Sequence, residues 1–105
     1  MREIKFRLFF QEKQIMSGPY NWHMVIRFSP KDFIPLQFTG LKDKNGKEIY
    51  EGDVVKLTYR TQEIIGSVQW DYLNAAFLVN GESGIYGSEQ SVELIGNIYE
   101  NPELL

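Results

Sequence analysis

The stretch from Leu36 to Lys56, LQFTGLKDKNGKEIYEGDVVK, constrains what this chain can fold into more than any other. A polar insert containing Asp43, Asn45 and Gly46 separates two apolar segments, and Gly52-Asp53 breaks the chain again before a new apolar run. The Lys44-Asn45-Gly46-Lys47 core carries the Asn-Gly pair that favours a two-residue turn with positive φ at both central residues. A tight hairpin or compact loop is therefore expected between Gly40 and Glu51.

On either side the pattern has the period of strands. From Val54 to Arg60, Val55, Leu57 and Tyr59 can face a core while Lys56, Thr58 and Arg60 face water. Glu63 to Trp70 continues with Ile64, Gly66, Val68 and Trp70 on one face, and Gly66 falls where a strand bulges or a small barrel bends. After a turn at Asp71 to Asn74, Ala75 to Val79 completes a three-strand meander. Upstream, Glu3 to Phe10 places Ile4, Phe6, Leu8 and Phe10 on one face and Lys5, Arg7 and Phe9 on the other, as a half-buried first strand. Between Gln11 and Pro35, the prolines Pro19, Pro30 and Pro35 argue against a long helix, and Met24 to Phe28 reads as a strand. Asn80 to Ser91 reads as a glycine-containing surface loop, and Val92 to Tyr99 closes the sheet. Asn101-Pro102-Glu103 sets a good N-cap before a proline at the first helical position, so one helical turn should dock Leu104 and Leu105. The pattern predicts a mainly β fold over residues 1–105 as one domain. Its expected form is a small SH3-like, partly open barrel with extra N-terminal strands and a short C-terminal helical turn, with a two-layer α+β arrangement as the alternative.

Composition narrows the functional classes. A chain of 105 residues with 43% apolar and 24% charged residues has the balance of a folded globular domain. Seven Phe, six Tyr and two Trp supply the large side chains that a thin β core needs. With no cysteine, disulfides, thiolate nucleophiles and Cys-based metal sites are excluded. The alternating N-terminus lacks the continuous apolar segment of a signal peptide, and no run approaches a membrane span, so a cytoplasmic location and no membrane partner are expected. A net charge of -3 disfavours nucleic acid as a partner without excluding it.

No reaction assembles from the candidate residues. His23 is the only histidine, so no His-His metal pair can be built within one chain, and its structural or surface reading is favoured. Asp43, Asp53 and Asp71 are not placed together by any spacing. Asp43-Lys44-Asn45-Gly46 is similar to the start of a calcium loop but lacks its later ligands, so a turn is favoured. Lys42, Lys44 and Lys47 are interrupted by Asp43, Glu48 and Glu51, which suits a solvated hairpin. Gly81, Gly84 and Gly87 match neither the dinucleotide nor the P-loop fingerprint. No catalytic, cofactor-binding or metal-ligating residue is assigned, and no cofactor is expected. Tyr20, Trp22, Tyr72 and Tyr86 lie in or beside expected loops and are the candidate partner contacts, weighed against a role in capping the core.

The run QFTGLKDKNGKEIYEGDVV, the later SVQWD from Ser67 to Asp71 and the closing IGNIYENPELL resemble the YopX-like family of small phage and prophage proteins, and KFR at Lys5 to Arg7 fits that family's start. The resemblance covers about two thirds of the chain, and Leu8 to Pro35 departs from it. It implies a phage-encoded β-rich fold and self-association, and it brings no activity to these residues. The leading expectation is a noncatalytic phage or prophage accessory protein, not an enzyme, that works through a protein partner or as a homo-oligomer. Exposed strand edges or the Gln11 to Pro35 segment would carry those contacts. The alternative is a small-barrel nucleic-acid-binding module in which Lys5, Arg7, Lys56, Arg60 and loop aromatics cluster. A metal-dependent hydrolase is the weakest reading.

Overall fold

The computed structural model describes residues 4–27, 33–81, 83–84 and 90–105, and most of these form strands. The N-terminal sheet contains β1 (Lys5–Phe10), β2 (Ile15–Asn21), β3 (Ile34–Lys42) and β4 (Glu48–Tyr50), in the order β2-β1-β3-β4. The second sheet contains β5 (Asp53–Tyr59), β6 (Gln62–Asp71), β7 (Ala76–Val79), β8 (Ser83–Gly84) and β9 (Gln90–Asn97), in the order β8-β7-β6-β5-β9. Among the described residues every strand pairing is antiparallel. In the second sheet a meander runs through β5, β6 and β7, and the last strand returns to pair with the first. This is the partly open, SH3-like half-barrel expected from the turn spacing. The four-stranded sheet supplies the extra N-terminal strands.

The two sheets meet across β1 and β5. One face of β1 presents Phe6, Leu8 and Phe10 to a small core with Val25 and Phe33. Its other face, carrying Lys5, Arg7 and Phe9, points into the seam, where Phe9 stacks on Tyr99 with ring centroids 4.8 Å apart. The alternation of β1 therefore separates two packed environments instead of a core from water. At the start of β5, Val54 and Val55 are both fully buried for the same reason. The larger core joins Val55, Leu57, Val68, Val79 and Val92 of the half-barrel to Ile49 of β4, so the two sheets share apolar surface.

Several local expectations are corrected. Met24 and Val25 lie in a short helix α1 (Trp22–Val25), not in a strand, because the Asn21 side chain accepts the Met24 N–H at 3.0 Å and turns the chain. Val25 then drops into the core beside Leu8, while Phe28 lies outside the described residues. In the hairpin between β3 and β4 only Gly46 has a positive φ, at 84°, and Asn45 does not. The turn runs from Asp43 to Gly46, whose N–H reaches the Asp43 carbonyl at 3.0 Å, and the Asp43 carboxylate supplies the remaining bonds. Gly66 is not a bulge: it pairs in register with Val55. A Cβ there would lie 2.1 Å from Asn80 Oδ1, so glycine makes room for the Asn80 amide. Tyr59 is half-exposed where the ribbon runs past the core. Part of the expected 80–91 loop is strand, in β8 and at Gln90 and Ser91 of β9. At the C-terminus a 3₁₀ turn forms over Pro102–Leu104, but Asn101 makes no cap bond and instead accepts the Asn97 N–H at 3.2 Å. Leu104 reaches Gly96, whereas Leu105 remains 63% exposed.

Candidate functional site

Two features stand out as places where function could reside: the polar seam between the sheets and the tip of the β6–β7 hairpin. The seam is built by the KNGKEIYEGD run. Because β4 is only three residues long, Tyr50 and Asp53 fall on either side of the Glu51-Gly52 corner and face each other. Asp53 Oδ2 accepts the Tyr50 N–H at 2.7 Å, and Oδ1 accepts from Arg7 Nη1 at 3.2 Å. The Arg7 guanidinium also lies over the Tyr50 ring, 4.1 Å from its centroid. With only 2% of its surface exposed, Asp53 is pushed up to about 6 by burial, which outweighs the Tyr50 N–H and the Arg7 charge. Beside this pair, Lys5 is ion-paired to Glu48, and the Tyr50 hydroxyl donates to Glu48 Oε1 at 3.1 Å. Lys5 holds Glu48 below its usual range, while burial and then the Glu48 charge push Tyr50 up to about 12.

The hairpin turn completes the seam. Asp43 Oδ1 accepts the Asn45 and Lys47 N–H groups, each at 2.9 Å, and Oδ2 accepts the Leu94 N–H of β9 at 2.9 Å. The Lys44 N–H donates to the Val92 carbonyl, also at 2.9 Å. Burial raises the Asp43 carboxyl, but the three backbone donors and the Lys47 charge together hold it below the usual carboxylate range. A polar cavity of about 260 Å³ remains, lined by Arg7, Lys47, Asp53, Asn97 and the Leu94–Gly96 stretch. Two cations there face the carboxylates of Asp53 and, next to Lys47, Asp43, so the charges nearly balance. Among the described residues no buried side-chain polar atom lacks a partner, and no His, Asp or Glu cluster is arranged to hold a metal. Chemically the seam acts as an adhesive between sheets.

The hairpin tip has the opposite character. Asp71 Oδ1 accepts the Leu73 N–H and Oδ2 accepts from Asn74 Nδ2, both at 2.9 Å, which fixes the turn. Tyr72 and Leu73 project from it, 89% and 96% exposed. Behind them Trp70 packs edge-on to both Tyr72 and Phe77. A second concavity, about 400 Å³, lies by the β1–β2 turn and includes Phe10, Glu12, Lys13, Ile15 and Ser17.

Of the four aromatics singled out in the sequence, the side chains of Tyr20 and Tyr72 are described, and they lie in different environments. Tyr72 is displayed at the tip. Tyr20 is half-buried against the Leu8 core with its hydroxyl bonded to Ser17 Oγ. Trp22 opens α1 but its side chain, like all of Tyr86, lies outside the described residues. Leu73 was not singled out; its signal was a large aliphatic side chain inside a turn held by Asp71 and Asn74. The cations of the nucleic-acid reading are dispersed in ion pairs: Lys5 with Glu48, Arg7 with Asp53, and Lys56 with Glu63 at 3.6 Å. Arg60 instead lies over the Tyr59 ring. Lys44 is paired with Glu93. Gly81 and Gly84 lead into and form part of β8, not a helix, and Gly87 is outside the described residues.

Fold and seam define an SH3-like half-barrel joined to an N-terminal sheet by a buried polar interface. The family model described as YopX protein matches residues 10–105, and the chain belongs to the YopX family. That match includes residues 10–35, which the sequence motifs left outside the resemblance. In fold, the chain is similar to the crystal structure of protein EF1440 from Enterococcus faecalis, with a TM-score of 0.69 and 21% identity over 100% of this chain and 99% of that one. Comparison with curated proteins gives no match. Among the described residues no helix is long and apolar enough to cross a membrane.

Proposed function

We propose that this YopX-family chain is a noncatalytic accessory protein of phage or prophage origin that acts in the cytoplasm through protein contacts, with itself or with a partner. The observation that carries this reading is the Tyr72-Leu73 tip: two large apolar side chains almost wholly in water on a turn fixed by Asp71. Aromatic and aliphatic groups held rigidly outside the fold lose little entropy on docking and bury much apolar area, which suits an anchor. The seam supports the same reading from the other side, since its polar groups are spent on one another.

Light scattering on the wild-type chain and on Y72S/L73S, with and without added nucleic acid, tests the proposal. The wild type is expected to self-associate, or to co-purify with a stoichiometric protein partner, in a way the double variant does not. A wild type that stays monomeric, captures no protein and gains mass only with nucleic acid overturns it.

A further inference from the structure

The outer edge of β9 is the place where the half-barrel would end in unpaired backbone, and a sheet edge of that kind is a template for strand addition. It is closed by the turn from Asp43 to Lys47. The Val92 carbonyl and the Leu94 N–H, both directed away from β5, are taken by the Lys44 N–H and by Asp43 Oδ2. A side-chain oxygen thus stands where a neighbouring strand would place a carbonyl. The attachment is slender. Asn45, Gly46 and Lys47 are exposed, and the accompanying Lys44–Glu93 pair, at 3.5 Å, is itself half in water.

We propose that the Asp43–Lys47 turn is a releasable guard on the β9 edge, held shut by the Asp43 carboxylate and opened when that carboxylate is neutralised. The two oxygens have different duties. Oδ1 serves two N–H groups within the turn, and Oδ2 serves only Leu94. A proton therefore goes to Oδ2, where it converts the acceptor facing Leu94 into a donor facing a donor, while the turn keeps its Oδ1 bonds. The charged groups facing Asp43 are Lys44 and Lys47 on its own turn, Glu93 on β9, paired with Lys44, and, across the cavity that Lys47 lines, Arg7 on β1 and Asp53 on β5. Lys47 favours the ionised, closed state, so the guard stays shut at neutral pH and opens only below the usual carboxylate range. This inference is independent of the tip as a contact surface.

Asp43→Asn tests it directly. The amide oxygen keeps the two turn bonds and the amide nitrogen is left against the Leu94 N–H, which breaks the guard and spares the turn. Lys44→Pro removes the donor to Val92 at the second position of a turn, where proline is accepted. Backbone amide exchange of Leu94, corrected for intrinsic rate, is the readout, with Leu57 in the core as reference. In either variant at neutral pH, Leu94 is expected to exchange about tenfold faster, the loss of one ordinary hydrogen bond, with Leu57 unchanged. The wild type should reproduce the change on acidification and Asp43→Asn should not. Leu94 protection that is the same in all three proteins, or that falls only in step with Leu57, overturns the proposal.

Discussion

Asp53 shows how one side chain sets a pH dependence opposite to that of most buried ion pairs. A carboxyl whose folded-state pKa exceeds its unfolded value binds its proton more tightly when folded. Its ionisation therefore disfavours folding. The effect is absent below the ordinary value of 3.8, grows as pH rises through about 6, and amounts to at most roughly 3 kcal/mol. Urea unfolding of the wild type and Asp53→Asn between pH 4 and 8 should show a stability difference that shifts across this window in favour of the neutral variant. A pH-independent difference would refute the assignment. Gly66 offers a test of shape. Gly66→Ala is expected to destabilise by about 2 kcal/mol, because the Cβ expels the Asn80 amide that bonds Ser67 N–H and Ile65 C=O. In an Asn80→Gly background, which also relieves the positive φ of Asn80, most of that cost should vanish, and a double-mutant cycle measures the coupling.

At the scale of elements, the β5–β6–β7 meander was legible because its alternating residues and the turn held by Asp71 act within a few positions of one another. The short helix was not. Met24 to Phe28 has the composition of a strand, and what bends it is the Asn21 cap together with the pull of Val25 into the Leu8 core. The Asn-Gly pair likewise predicted a turn of the right place and the wrong type, since Asp43 satisfies the backbone and only Gly46 needs a positive φ. The β6–β7 hairpin gives the prediction for this scale. Y72S/L73S should change unfolding free energy by less than about 0.5 kcal/mol, as surface substitutions do, while removing the association assigned to the tip. Loss of stability larger than that would mean the pair packs on more of the fold than the Trp70 ring edge.

For the whole molecule, the shared core predicts that the two sheets unfold together. Ile49 belongs to the N-terminal sheet by hydrogen bonding and to the half-barrel by packing, so Ile49→Ala should cost about 2–5 kcal/mol. In a Trp22→Phe background, Trp70 fluorescence from the half-barrel and amide exchange from β1 should report one transition, shifted equally; two separate midpoints would show that the sheets are independent units. The sequence by itself determined the β class, the half-barrel with strands before it and a turn after it, and the family. The fold features rest on local periodicity and turn chemistry, which act between near neighbours, and the family rests on the resemblance of the quoted motifs. Only the tertiary structure decided the seam: that Lys5 and Arg7 face Glu48 and Asp53 across more than forty positions, that Asp43 reaches β9, and that both faces of β1 are covered. Alternation tells which residues share a face of a strand, but what that face meets is set by sheet packing, and no spacing along the chain encodes it.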